Sequence, residues 1–205
     1  MALISVSNNA LQNITAVPAS IPTGALTLIK SITASASASI SFVDGTDGVV
    51  LDGTYSSYIF KFINVRPATD AVTFNFNFST DSGSNYNVTK TTTYFKAYHN
   101  EAGTDAVLTY DGNNDLAQGT GFQRIMDLGS DADQNGGGTL TLFNPNSTTY
   151  VKHFICVTSA SHPSNYIQND FIAGYANTTS PVNAIRFQMS SGNIDDGIIK
   201  LYGVK

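Results

Sequence analysis

The chain has one cysteine, no tryptophan and few charges. Asp, Glu, Lys and Arg together make up 12% of its 205 residues, about half the roughly 25% of an ordinary soluble domain. Each shortage excludes something. A lone Cys156 cannot close an intrachain disulfide. Ten Lys and Arg, scattered singly through a chain of formal net charge -5, build no basic stripe to neutralise successive phosphates, so nucleic acid is not an expected partner. No run approaches the roughly 20 apolar residues of a spanning helix, and no membrane partner is expected. No basic residue precedes Lys30 and no apolar core of signal-peptide type follows the start, so Sec export is not expected. A protein made in a cytoplasm and released by lysis fits. Heptads, Gly triplets and β-helical repeats are missing too, which argues against a self-standing fibre.

What is present is a large apolar fraction, 41% hydrophobic and 11% aromatic, wetted by Ser, Thr, Asn and Gly rather than by charge. That is too apolar for a disordered tail and suits one core. Residues 1–24, punctuated by Pro18, Pro22 and Gly24, read as an extended N-terminal arm. From residue 25 to 205 the apolar residues repeat with a period of two, which puts alternate side chains on opposite faces of a strand. The fold class expected is all-β: an antiparallel, jelly-roll-like β-sandwich.

Val72, Phe74, Phe76 and Phe78 alternate with Thr73, Asn75 and Asn77, the pattern of a strand with one buried and one wet face. Tyr58, Phe60 and Phe62 repeat it, with a turn around Pro67 leading to a hairpin or an inter-sheet corner. Further strands are expected at 89–98, 139–143, 150–158, 170–175, 184–190 and 198–204, separated by Asx- and Gly-rich turns. Ala34 to Phe42 reads as a thin strand with Ala on one face and Ser on the other, either a covered edge or a subunit seam.

Chemistry is sparse. Asp131, Asp133 and Asn135, followed by Gly136, match the opening of a calcium loop, but the twelfth position is Leu142 instead of a bidentate Glu; calcium is the weak candidate and a solvated turn the preferred reading. His99, His153 and His162 have no metal-ligand spacing. His153 alternates with Val151, Ile155 and Val157, as on a packed strand face. Cys156 lies inside a strand pattern without the setting of a thiolate nucleophile. Asp44 with Asp47, and Asp195 with Asp196, read as turn residues rather than glycosidase pairs. Gly136 to Gly138 reads as a flexible turn. Tyr94, Tyr98, Tyr110 and Tyr166 are either platforms for a sugar ring or rim residues of the sandwich. No catalytic residue and no cofactor is expected.

The segments Tyr58-Ile-Phe-Lys-Phe-Ile-Asn-Val-Arg-Pro-Ala-Thr-Asp70, Phe76-Asn-Phe-Ser-Thr-Asp-Ser-Gly-Ser-Asn-Tyr86 and Gly197-Ile-Ile-Lys-Leu-Tyr-Gly-Val204 resemble small virion proteins of tailed bacteriophages, especially those of marine bacteria and cyanobacteria. The resemblance covers most of residues 26–205 and implies a β-sandwich borne on the virion, as a capsid decoration protein or a tail- or fibre-associated subunit. It carries no catalytic signature. Other virion proteins are then the expected partners, and a homo-oligomer, a trimer, the expected state. Its seam would include Leu3, Ile4, Leu11, Ile14 and Val17 of the arm, with Ala34, Ala36 and Ala38. A carbohydrate-binding module or host-receptor adhesin contacting a host-surface glycan is the alternative.

Overall fold

A computed structural model describes residues 26–205. The arm and its seam residues Leu3, Ile4, Leu11, Ile14 and Val17 lie outside the described residues. Those described form twelve strands: β1 (Leu26–Thr33), β2 (Ile40–Val43), β3 (Ser57–Pro67), β4 (Val72–Ser79), β5 (Lys90–Asn100), β6 (Ala106–Tyr110), β7 (Gln123–Leu128), β8 (Gly136–Phe143), β9 (Lys152–His162), β10 (Tyr166–Ala176), β11 (Ala184–Met189) and β12 (Ile194–Val204). All neighbouring strands are antiparallel. They form an eight-stranded sheet in the order β1-β12-β3-β8-β9-β10-β5-β6 and a four-stranded sheet in the order β2-β11-β4-β7. The result is an all-β sandwich. Its chain passes repeatedly between the sheets, as in a jelly roll, though it divides its strands eight to four.

The sheets are joined by phenylalanine. Phe60 and Phe62 of β3 and Phe154 of β9 face Phe42 of β2, Phe74, Phe76 and Phe78 of β4, and Phe187 of β11, all buried. The Phe187 ring lies 5.2–6.4 Å, centroid to centroid, from the rings of Phe42, Phe60, Phe62, Phe74 and Phe76. Offset and edge-on aromatic pairs of this kind add about 0.5–1.5 kcal/mol each beyond their burial. Because β3 belongs to the large sheet and β4 to the small one, the turn at Ala68–Ala71 is an inter-sheet corner, not a hairpin.

Three expectations need correction. The Ala34–Phe42 stretch is not one strand. Ile40–Val43 pairs with β11 of the small sheet, whereas residues 34–39 keep only backbone bonds to the start of β12, including a single bridge from Ser37 to Ile194, and bend from one sheet to the other through Ala36, whose φ is +46°. Ala34 is buried in the chain's own core, so it is not free to meet a neighbour, whereas Ala36 and Ala38 are exposed. Second, Gly136 to Gly138 is not a turn but the start of β8. A Cβ on Gly138 would lie 2.4 Å from the Val157 carbonyl oxygen of β9, so glycine is needed there for close strand approach, and one on Gly136 would meet the Met126 and Leu128 side chains of β7 at 2.6 and 2.8 Å.

Third, the second face of β4 is not wet. Asn75, Asn77 and Ser79 are buried. The Asn77 amide donates to the Tyr86 carbonyl (2.7 Å) and the Thr120 carbonyl (2.9 Å), while its Oδ1 accepts from the Phe78 N–H (2.8 Å) and from Lys90 Nζ. Segments from both connections that flank β5 and β6 thus fold back over the small sheet. Leu116 to Gly119 is fixed by pairing with Lys90 and Thr92 at the start of β5. The alternating pattern was correct, but the polar side chains on this face bond to the chain itself.

Candidate functional site

The most unusual surface is the outer face of β8-β9-β10-β5-β6. Strand registers place Tyr110, Phe95, Phe171, Val157 and Thr139 side by side in one row across the five strands. The next row reads Thr93, Ala173, Ile155 and Thr141. Phe95 and Phe171 stack at 4.9 Å with ring planes 5° apart, and Phe95 is still 41% exposed. Ile155, Ile167 and Leu108 are 50%, 51% and 73% exposed. No Asp, Glu, Lys or Arg occupies an outward position on these strands. No described residue covers them.

This face is where sequence periodicity gave the wrong phase. His153, Ile155 and Val157 were expected to pack inward; instead Phe154, Cys156, Thr158 and Ala160 are buried and the odd-numbered residues point out. A depression of about 370 Å3 opens between them. The small residues Thr93 and Ala173 lie low there, and Phe143, His153, Ile155 and Tyr175 stand around it.

At one end of the sandwich lies a polar pocket of about 410 Å3, lined by His99, Asn100, Glu101, Asp131, Asp133, Gln134, Ser161, His162, Asn165, Tyr166 and Ile167. It contains Asp131 and Asp133, two of the three candidate calcium ligands, and not Asn135. Asp131 to Gly136 forms a tight turn, in which the Gln134 N–H donates to the Asp131 carbonyl at 3.0 Å and Gln134 Oε1 accepts from the Asp131 N–H at 3.3 Å. The Leu142 side chain is fully buried in the core, so the loop has no twelfth-position ligand. Among the described residues no group of three His, Cys, Asp or Glu could hold a metal ion.

Behind the pocket the interior is polar. Arg124 pairs with Asp127, and Gln168 Nε2 donates to Asp170 Oδ1 at 2.8 Å. Burial pushes the Asp170 carboxyl up to about 6. It also pushes the Tyr94 hydroxyl well above its ordinary range, with the Asp170 charge adding to the effect. His162 is pushed down to about 4 by burial, reinforced by Arg124 and Lys96, so near neutral pH its imidazole is uncharged. Its ring stacks on Tyr166 at 3.9 Å, and Tyr98 lies 5.0 Å from Tyr166. Of the four candidate sugar platforms, Tyr94 is therefore a core residue and Tyr98 and Tyr166 pack on one another. Tyr110 is exposed, at the far edge of the apolar face.

One member of each acidic pair bonds the backbone. Asp44 Oδ1 accepts from the Leu51 N–H at 2.8 Å, Asp196 Oδ1 accepts from the Gly197 N–H at 2.7 Å, and Asp195 pairs with Arg66. Cys156 is buried, and burial pushes its thiol well up. Sequence reasoning missed two buried lysines. Lys152 Nζ donates to the carbonyls of Ser147 (2.6 Å), Tyr150 (2.9 Å) and Thr178 (3.1 Å), using all three protons to tie two loops together. Lys90 donates to the Val88 carbonyl at 2.8 Å as well as to Asn77, and burial pushes it down to about 7. Each stands at the first position of its strand, β5 or β9, and that place is the trace it leaves in the sequence.

Comparison of the chain with protein-family models, with curated proteins and with solved structures finds no match.

Proposed function

We propose that the chain is a non-catalytic structural subunit of a tailed-phage virion, docked on the particle surface as a decoration protein or tail-associated subunit and assembled as a homo-oligomer. One observation carries this reading. Five strands and about nine residues along each give the outer face of β8-β9-β10-β5-β6 roughly 24 Å by 30 Å, about 700 Å2. That is the area of an uncharged face in which Thr91, Thr93, Thr139, Thr141, Ser159 and Asn169 flank a contiguous apolar band of Tyr110, Phe95, Phe171, Val157 and Ile155, and an exposed apolar band rimmed by polar residues marks a surface that is covered in use. Depletion of charge with enrichment of aromatics is also the composition of an interface centre. The resemblance of residues 58–70, 76–86 and 197–204 to phage virion proteins supplies the setting, and residues 1–24 are the proposed attachment segment.

Immunogold labelling of intact purified virions tests the reading: regular decoration of head or tail is expected, and absence of the chain from purified particles would overturn it. Deleting residues 1–24 removes nothing from the described sandwich, which begins at Leu26. The shortened chain is expected to fold and to lose incorporation.

A second reading, glycan binding, is favoured by the polar pocket, which Glu101, Asp131, Asp133 and Asn165 line, residue types that partner sugar hydroxyls. Binding on a glycan array that is lost in Asp133→Ala would support it, and no binding to any glycan would remove it.

A further inference from the structure

We propose that the occupant of the uncharged outer face is a second copy of this chain, seated face to face about a two-fold axis. The inference rests on the assembly reading above only in taking that face to be covered in the working state.

Charge is the first argument. The chain carries 15 acidic against 10 basic residues, so two copies repel over most of their surfaces. The β8-β9-β10-β5-β6 face holds no carboxylate at an outward position, and copies approach there without opposing like charges or stripping water from them. Size is the second. About 700 Å2 from strand spacing is close to the roughly 800 Å2 that each partner contributes to a standard interface.

Shape is the third argument and the one that specifies the arrangement. The face has a ridge at its β6 edge, where Leu108 is 73% and Tyr110 56% exposed, and a depression over Thr93 and Ala173, which is exposed at its centre. For any two points on a face, a two-fold axis lying in the contact plane midway between them brings each onto the other. Leu108 of one copy then enters the depression of the second while the reverse contact forms, the reciprocity of an isologous interface. A bulky apolar side chain in a ring of Phe143, Ile155 and Tyr175 makes a central anchor of the kind that carries most binding energy.

The test is analytical ultracentrifugation of the full-length chain at tens of micromolar, a range that populates interfaces of this size. A dimer of the 21.8 kDa chain is expected. Ala173→Asp puts a carboxylate in the depression that receives Leu108 of the second copy and is expected to weaken dimerisation by at least about a hundredfold, the order expected for an unpaired buried charge. Leu108→Asp should do the same. Adding Leu108→Lys to Ala173→Asp should restore much of the dimer, because each new ammonium then meets a new carboxylate. Unchanged far-ultraviolet circular dichroism and thermal midpoint in the single variants show that folding is retained; both positions are solvent-exposed, so neither change disturbs the core.

A monomer at that concentration, a trimer, or a dimer indifferent to Ala173→Asp would overturn the proposal, the last pointing to edge-to-edge pairing of β6. The two readings fail separately: a monomer that is still found on virions sinks the self-contact and leaves the virion role, and a dimer absent from virions does the reverse.

Discussion

The two outer faces of the sandwich are opposites. The small sheet turns Asn75, Asn77 and Ser79 outward, and the chain's own connections bury them. The large sheet turns Phe95, Ile155, Leu108 and Ile167 outward, and no described residue covers them. Polar side chains were covered because they give a returning loop fixed hydrogen-bond partners, and a buried amide with all its bonds made specifies one loop position. Apolar side chains offer area without direction, which suits a surface completed by another molecule.

Breaking the covered face should have the largest effect. Asn77→Leu removes one of the two acceptors of Lys90 and the donors to Tyr86 and Thr120, leaving the buried ammonium with the Val88 carbonyl alone and an apolar side chain where the returning loops were bonded. A loss of about 3–5 kcal/mol is expected in urea unfolding, the order for breaking a buried charged network. A loss under about 1 kcal/mol would mean that water reaches this face.

Lys90 gives the covered face a pH signature. Its folded pKa is lowered to about 7 from 10.5, so between those values the unfolded chain binds more protons than the native one and stability rises with pH. The increase is complete at the unfolded pKa and is lost as pH falls through the folded one, with a slope of at most about 1.4 kcal/mol per pH unit. Urea titrations from pH 7 to 10 measure it. Lys90→Met should flatten the slope.

Lys152→Met, which frees the carbonyls of Ser147, Tyr150 and Thr178, is expected to cost about 2–3 kcal/mol, read as a lower thermal midpoint. The apolar face should respond least. Ile155→Thr in dilute, monomeric protein should change stability by about 0.5 kcal/mol or less, and Phe95→Ser, which also breaks the stack on Phe171, by about 1–2 kcal/mol, while both reduce binding of a hydrophobic dye. A core-sized loss at either position would show that the face is packed against the chain after all.

The sequence made the class of fold readable because its alternation is strong where one face is aromatic, as in Val72 to Phe78. It was weakest where both faces look alike. Along β9 the inward set of Phe154, Cys156 and Thr158 is no more apolar than the outward set of His153, Ile155 and Val157, so the period was visible but its phase was not. The strands β6 and β7 were missed for a related reason: Ala106–Tyr110 is short, and Gln123–Leu128 does not alternate cleanly, with Ile125 and Met126 both buried. Ala34 to Ser39 alternates perfectly yet bends, because side chains that small pack too little area to hold a strand. The polar pocket gathers residues from the β5–β6 hairpin, the turn before β8 and the β9–β10 hairpin, and no local spacing announces such a meeting.

The most direct measurement is covalent footprinting of the outer face in dilute chain and in intact virions, with labelling read at Phe95, Leu108 and Ile155 against buried Phe76 as the internal standard. Strong labelling in the dilute chain and protection of all three residues in the virion is the predicted result. Equal labelling in both states would contradict the account, as would protection already present in the isolated monomer.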